Sequence, residues 1–96
     1  MDEEKVRIKL NIAGEMFMLT VPYSRQEETR QVEAEVNTLF DTWRKRFPDK
    51  KDRELLAMTA FRFADRYYAM LRREEETRRL MAEMGREAEA LAGEDA

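Results

Sequence analysis

The chain has 96 residues, 43% hydrophobic and 41% charged, with a net charge of −3 and neither cysteine nor histidine. That length suits one small domain, which alone buries only a modest share of its surface. The missing residue types exclude disulfides, thiolate nucleophiles, Cys/His zinc sites and His-dependent triads, so no cofactor or metal is expected.

Two alternating segments come first. In KVRIKLNI, Val6, Ile8, Leu10 and Ile12 face one way and Lys5, Arg7, Lys9 and Asn11 the other. In the next segment Phe17, Leu19 and Val21 alternate with Met16, Met18 and Thr20. Both are half-buried strands, giving a hairpin over 5–22. Gly14 and Glu15 at the centre of a type II′ turn pair Ile12 with Phe17, Leu10 with Leu19 and Ile8 with Val21, all on one face. Pro22 ends the second strand. A lone hairpin is marginal in water, so this one needs a helix over it, strands from another copy, or both.

SRQE places Ser24 and Glu27 in a capping box. A helix over 25–47 follows, with Val32, Val36, Leu39, Phe40, Trp43 and Phe47 in one apolar stripe. Pro48 closes it, and Asp49 or Asp52 caps the next.

That second helix spans 52–92, with Gly93 as its C′ residue. At 1.5 Å per residue it measures about 60 Å, roughly twice the ~25–30 Å diameter of a globule of this size. Its first half carries two adjoining stripes, Leu56, Ala60, Phe63, Tyr67 and Met70 beside Ala57, Phe61, Ala64, Tyr68 and Leu71. Beyond Leu71 only the first continues, through Glu74, Thr77, Met81, Met84, Ala88 and Leu91, in alternating steps of four and three. This is a heptad seam, weakest at Glu74 and Thr77. The expected organisation is α+β. The hairpin, the first helix and residues 52–71 form a globular head (1–71), a coiled-coil tail follows over 72–92, and 93–96 form a disordered end. The seam residues Phe63, Tyr67, Met70, Thr77, Met81, Met84, Ala88 and Leu91, together with Phe40, Trp43 and Phe47 of the head, are the candidate self-assembly residues.

No glycine-rich phosphate loop is present. The carboxylates of Glu74, Glu75 and Glu76 diverge around a helix and form a solvated face. Most of the seven methionines fall at packing positions; Met16 and Met18, on the polar face of the hairpin, mark a contact surface. WRKRFPDKK gathers Arg44, Lys45, Arg46, Lys50 and Lys51 around Phe47. Three readings of this cluster stay open: a solvated helix end that complements the dipole, a surface for an acidic protein, and a nucleic-acid contact. Net acidity disfavours the last. No nucleophile–base pair can be assembled, so an enzyme is not expected. The acidic start MDEEK does not suit a signal peptide. No window approaches the ~18 apolar residues of a membrane span. A soluble cytoplasmic protein without a membrane partner is expected.

VRIKLNIAG leading into the second strand, EVNTLF in the first helix and DRELLAMTAFRFADRYYAM opening the second resemble ZapA-type bacterial cell division proteins. The resemblance runs from Lys5 to about Leu91. It implies a protein at the division site that binds the tubulin-like GTPase FtsZ, an acidic partner, and cross-links its filaments in support of division-ring assembly. It also implies homodimers formed through the heads and tetramers formed through antiparallel coiled coils. On this reading Arg44, Lys45, Arg46, Lys50 and Lys51 are the first candidates for the FtsZ contact, and Lys5, Arg7 and Lys9 the second. The alternative is a generic coiled-coil adaptor or a small nucleic-acid-associated protein using the basic cluster.

Overall fold

The computed structural model describes residues 3–94. The chain runs through β1 (Lys5–Ile12), β2 (Glu15–Pro22), one turn of 3-10 helix (Tyr23–Arg25), α1 (Gln26–Arg46) and α2 (Asp52–Glu94). This is the α+β order expected from the sequence. Contacts divide the described residues between Phe61 and Arg62.

β1 and β2 pair antiparallel, with Ile12 opposite Glu15, Leu10 opposite Phe17, Ile8 opposite Leu19 and Val6 opposite Val21. The register is therefore two residues away from the one the turn chemistry suggested. Ala13 and Gly14, not Gly14 and Glu15, occupy the loop, at φ +53° and +86°. Positive φ at both central residues is the type I′ pattern, whose twist matches that of the strands. An alanine in the left-handed region costs on the order of 1–2 kcal/mol, and hydrogen bonds hold it there. The Ala13 N–H donates to Asn37 Oδ1 at 2.8 Å, the Gly14 N–H to Asn11 Oδ1 at 2.9 Å, and Asn37 Nδ2 to the Asn11 carbonyl at 2.7 Å. A slip of two leaves every side chain on its expected face, because the period is two.

The capping box does not form. A 3-10 turn precedes α1, Arg25 is its N-cap residue, and no side chain caps it. The Ser24 N–H instead donates to Glu3 Oε1 at 2.9 Å. The Tyr23 N–H reaches the Glu4 carbonyl at 2.8 Å, carrying the ladder one pair past the strand ends. α2 also runs past Ala92 to Glu94, so Gly93 lies within the helix; Asp95 and Ala96 lie outside the described residues.

Ile8, Leu10 and Val21 form the buried face of the hairpin. Phe40 of α1 is buried, and Val36, Leu39, Trp43 and Phe47 are half-buried. From α2 the buried pair is Leu55 and Thr59, one turn apart. The Thr59 hydroxyl donates to the Leu55 carbonyl at 2.8 Å, which satisfies a buried polar group within the helix. Leu56 and Met58, beside that row, are half-buried, while Ala57, Ala60 and Phe61 are exposed. Of the two stripes, the residues that fall in this unit are thus exposed in the single chain except for Leu56.

Candidate partner-binding and assembly surfaces

The basic cluster sits where α1 ends and α2 begins, so three arginine and lysine side chains fall in the last turn of α1, where positive charge suits the helix dipole. Its members are not equivalent. Arg44 is half-buried and stitches the connection together: it donates to the Lys50 carbonyl at 2.7 Å, pairs with Asp52 and lies over the Phe40 ring at 5.8 Å. Lys50 faces Glu54 at 3.7 Å and, like Arg46, lies 5.8 Å from the Phe47 ring centre. Lys45 and Lys51 are exposed and form no ion pair among the described residues. Lys5, Arg7 and Lys9 are exposed along β1 at every second position, which sets them on one face.

The half of the outer edge of β1 next to the turn is covered by α1. Arg30, Glu33 and Asn37 are spaced three and four apart and so share a helix face. Arg30 donates to the Lys9 carbonyl at 2.7 Å and to Glu33 at 3.2 Å; the Asn11 N–H donates to Glu33 Oε2 at 2.7 Å. With the Asn37 bonds to Asn11 and Ala13, this row occupies the strand edge from the Lys9 carbonyl to the turn. The Asn11 N–H, followed by the Arg30 guanidinium, lowers the Glu33 carboxyl below its ordinary 4.5, and the Ser24 bonds do the same for Glu3. A carboxylate whose folded pKa lies below its unfolded value contributes stability that is complete above the unfolded value. The contribution is lost as pH falls through the folded one. The melting temperature is therefore expected to drop as pH is lowered below about 4.5, and Glu33→Gln is expected to drop less steeply. Equal slopes for the two proteins in melts followed by circular dichroism would remove Glu33 from this account.

β2 has no such cover. Met16, Phe17, Met18 and Leu19 are all exposed, although Phe17 and Leu19 share the face of the buried Ile8 and Leu10. Phe61 is 73% exposed. Of the candidate assembly residues in this unit, Phe40 is already covered by its own chain. Trp43 and Phe47 are half-buried with ring centres 5.9 Å apart. The Trp43 Nε1–H is buried without an acceptor among the protein atoms.

In the second unit Phe63 is half-buried, with Arg66 5.9 Å from its ring centre. Tyr67 stacks edge-on against Tyr68 at 5.6 Å. Tyr67, Met70, Thr77, Met81, Met84, Ala88 and Leu91 are all exposed. Arg78 pairs with Glu74 at 2.7 Å, four residues away, a surface pair worth a few tenths of a kcal/mol. The seam thus stands uncovered along the single chain.

Sequence patterning did not single out Leu55, which is hidden next to Leu56 in a Leu-Leu pair, or Arg30, Glu33 and Asn37, whose three-and-four spacing was the available signal.

Among the described residues no helix is long and apolar enough to cross a membrane. No curated protein and no solved structure matches the chain. A family model described as "Cell division protein ZapA" matches residues 8–94, which takes in most of the hairpin and all of α1 and α2. On that span, nearly the whole length, the chain belongs to the ZapA family of cell division proteins.

Proposed function

We propose that this division protein binds FtsZ filaments and cross-links them, supporting assembly of the division ring in the cytoplasm without chemistry of its own. The observation that carries the reading is that each unit leaves its own apolar surface uncovered: the β2 side of the hairpin with Phe61 in one, the Tyr67-to-Leu91 seam in the other. A chain with two separate self-association surfaces forms dimers through the first and pairs of dimers through the second. Antiparallel pairing of the tails, residues 72–92, sets a head at each end of the assembly. Each head contact with a filament can then be weak, because the first attachment raises the local concentration for the second.

Lys45, Arg46, Lys50 and Lys51 are the leading candidates for the acidic filament surface, and Lys5, Arg7 and Lys9 the second group. Arg44 belongs to the first group in sequence but is committed to Asp52 and Lys50, so its reversal would disturb the α1–α2 connection as well as any contact. The informative variant is Lys45→Glu with Arg46→Glu and Lys51→Glu. It is expected to lose co-sedimentation with FtsZ polymer while keeping the wild-type circular dichroism and mass. Wild-type binding is expected to weaken as salt is raised, as surface charge contacts do. Undiminished co-sedimentation of the triple variant would clear the cluster of this role. Failure of the wild type to co-sediment would overturn the FtsZ reading.

A further inference from the structure

We infer that the open edge of β2 pairs antiparallel with the same edge of a second copy, across a two-fold axis at Met18, to make one four-stranded sheet. The inference rests on the head-pairing part of the function proposed above and specifies its geometry.

The two edges of the hairpin are built differently. In an antiparallel pair, alternate residues turn both backbone groups toward the partner strand and the others turn theirs away. With Ile12 opposite Glu15 closing the two-residue loop, the residues facing away are Lys5, Arg7, Lys9 and Asn11 on β1, and Met16, Met18 and Thr20, ahead of Pro22, on β2. On β1 the Lys9 carbonyl is bonded by Arg30 and the Asn11 N–H and carbonyl by Glu33 and Asn37, and Lys5 and Arg7 set exposed cationic side chains along the rest of the edge. Met16, Met18 and Thr20 make no backbone hydrogen bond outside the hairpin ladder among the described residues.

Free edges are ordinarily protected by lysine, proline, a bulge or a cover. β2 has none of these before its last residue: it carries no Lys or Arg, its pairing with β1 is unbroken by a bulge, and Pro22 stands only at its end. Its side chains point to the same conclusion. Phe17 is 44% and Leu19 40% exposed on the face of the buried Ile8, Leu10 and Val21.

A second copy is the occupant because the edge is self-complementary. An isologous contact needs residue i to meet j while j meets i. Centred on Met18, the pairs are Met16 with Thr20, Met18 with Met18 and Thr20 with Met16, so all three outward residues of both copies are bonded. Sliding one way sets Thr20 against Gly14, whose N–H already donates to Asn11. Sliding the other way sets Met16 against Pro22, which has no N–H to give. On the inner face the Met18 register sets Phe17 beside Leu19 of the second copy. A row of Ile8, Leu19, Phe17 and Leu10 then runs unbroken from one copy into the other. The only charged side chain of β2, Glu15, meets Val21, so no like charges face each other.

The chain has no cysteine, which allows a direct test of register in the full-length protein. At the two-fold axis the Met18 Cα atoms lie about 5.5 Å apart, within disulfide range. The two Met16 positions, four residues out of register, lie about 14 Å apart, beyond it. Met18→Cys is therefore expected to give at least about tenfold more disulfide-linked dimer on oxidation than Met16→Cys or Thr20→Cys alone. Mixing the Met16→Cys and Thr20→Cys proteins is expected to restore the crosslink. If Met18→Cys stays uncrosslinked while the protein sediments as a dimer or larger, the β2 pairing is wrong and head association of another kind survives. Preferential crosslinking of Met16→Cys alone overturns the register. A wild type that sediments as a monomer at tens of micromolar overturns both this inference and the head pairing beneath it.

Discussion

Met81→Lys is expected to halve the sedimenting mass of the assembled protein and to abolish filament bundling, while leaving circular dichroism and co-sedimentation with FtsZ unchanged. The seam of the second unit is narrow. Between Glu74 and Leu91 its apolar bulk comes from Met81, Met84 and Leu91, with Leu80 beside them, all exposed in the single chain. A lysine at one of these positions either keeps its charge in a packed apolar interface, at a cost of several kcal/mol, or holds the helices apart. In the proposed tail pairing, charge would set the direction. Arg72 to Met81 carries four arginines and three glutamates, a net of +1, whereas Ala82 to Ala96 carries one arginine against four glutamates and Asp95, a net of −4. Parallel tails would stack two acidic tips, and antiparallel tails set each tip beside a more basic base. At physiological salt this preference amounts to about 1 kcal/mol per pair, which biases orientation but leaves assembly to the apolar seam. Bundling by Met81→Lys equal to that of wild type in electron micrographs would show that the tail is not the cross-linking device.

Leu55→Ala is expected to destabilise the protein by about 2–5 kcal/mol, a large part of the roughly 5–15 kcal/mol total of a small domain. Among the described residues Leu55 is the single side chain with no exposure at all, and the hairpin, α1 and the start of α2 leave few other buried residues to absorb the loss. In urea titrations the midpoint should move well below that of wild type with little change in slope. Leu56→Ala, at the half-buried neighbour, is the control and is expected to cost clearly less. Equal midpoints for the two variants would place the core row along Leu56 instead.

The contrast between Leu55 and Leu56 shows how far sequence carries. Element order and type were legible because their signals are local: period-two alternation in the strands, three-and-four spacing in α1 and the long helix. The face of each strand was legible too, and survived the shift in register, since a slip of two conserves it. The register itself was not. It depends on Asn37, some two dozen residues away, holding Ala13 in a conformation alanine rarely adopts. Ser24 was misplaced as a helix cap for a related reason: its N–H answers Glu3, a partner across the hairpin that spacing along α1 does not show. On α2 the apolar stripes were visible, but neighbouring rows lie only about 100° apart. Which row faces inward is decided by the elements packed there, not by the helix. Among the candidate contact residues, the grouping of Arg44 to Lys51 was readable from the run itself. That Arg44 is spent on the loop while Lys45 and Lys51 stay unpaired became visible only with the fold.

The covered edge of β1 would also limit how large the proposed assembly can become. A hairpin with two free edges is a monomer for an open-ended fibre, since every addition exposes another template. Here the row of Arg30, Glu33 and Asn37 occupies the β1 side from the Lys9 carbonyl to the turn and Lys5 and Arg7 charge the rest, so the proposed strand addition would have β2 as its single direction and end after one step. Removing that row, as Arg30→Ala with Glu33→Ala and Asn37→Ala would, reopens the second side. It converts a terminating association into one with the geometry of runaway growth.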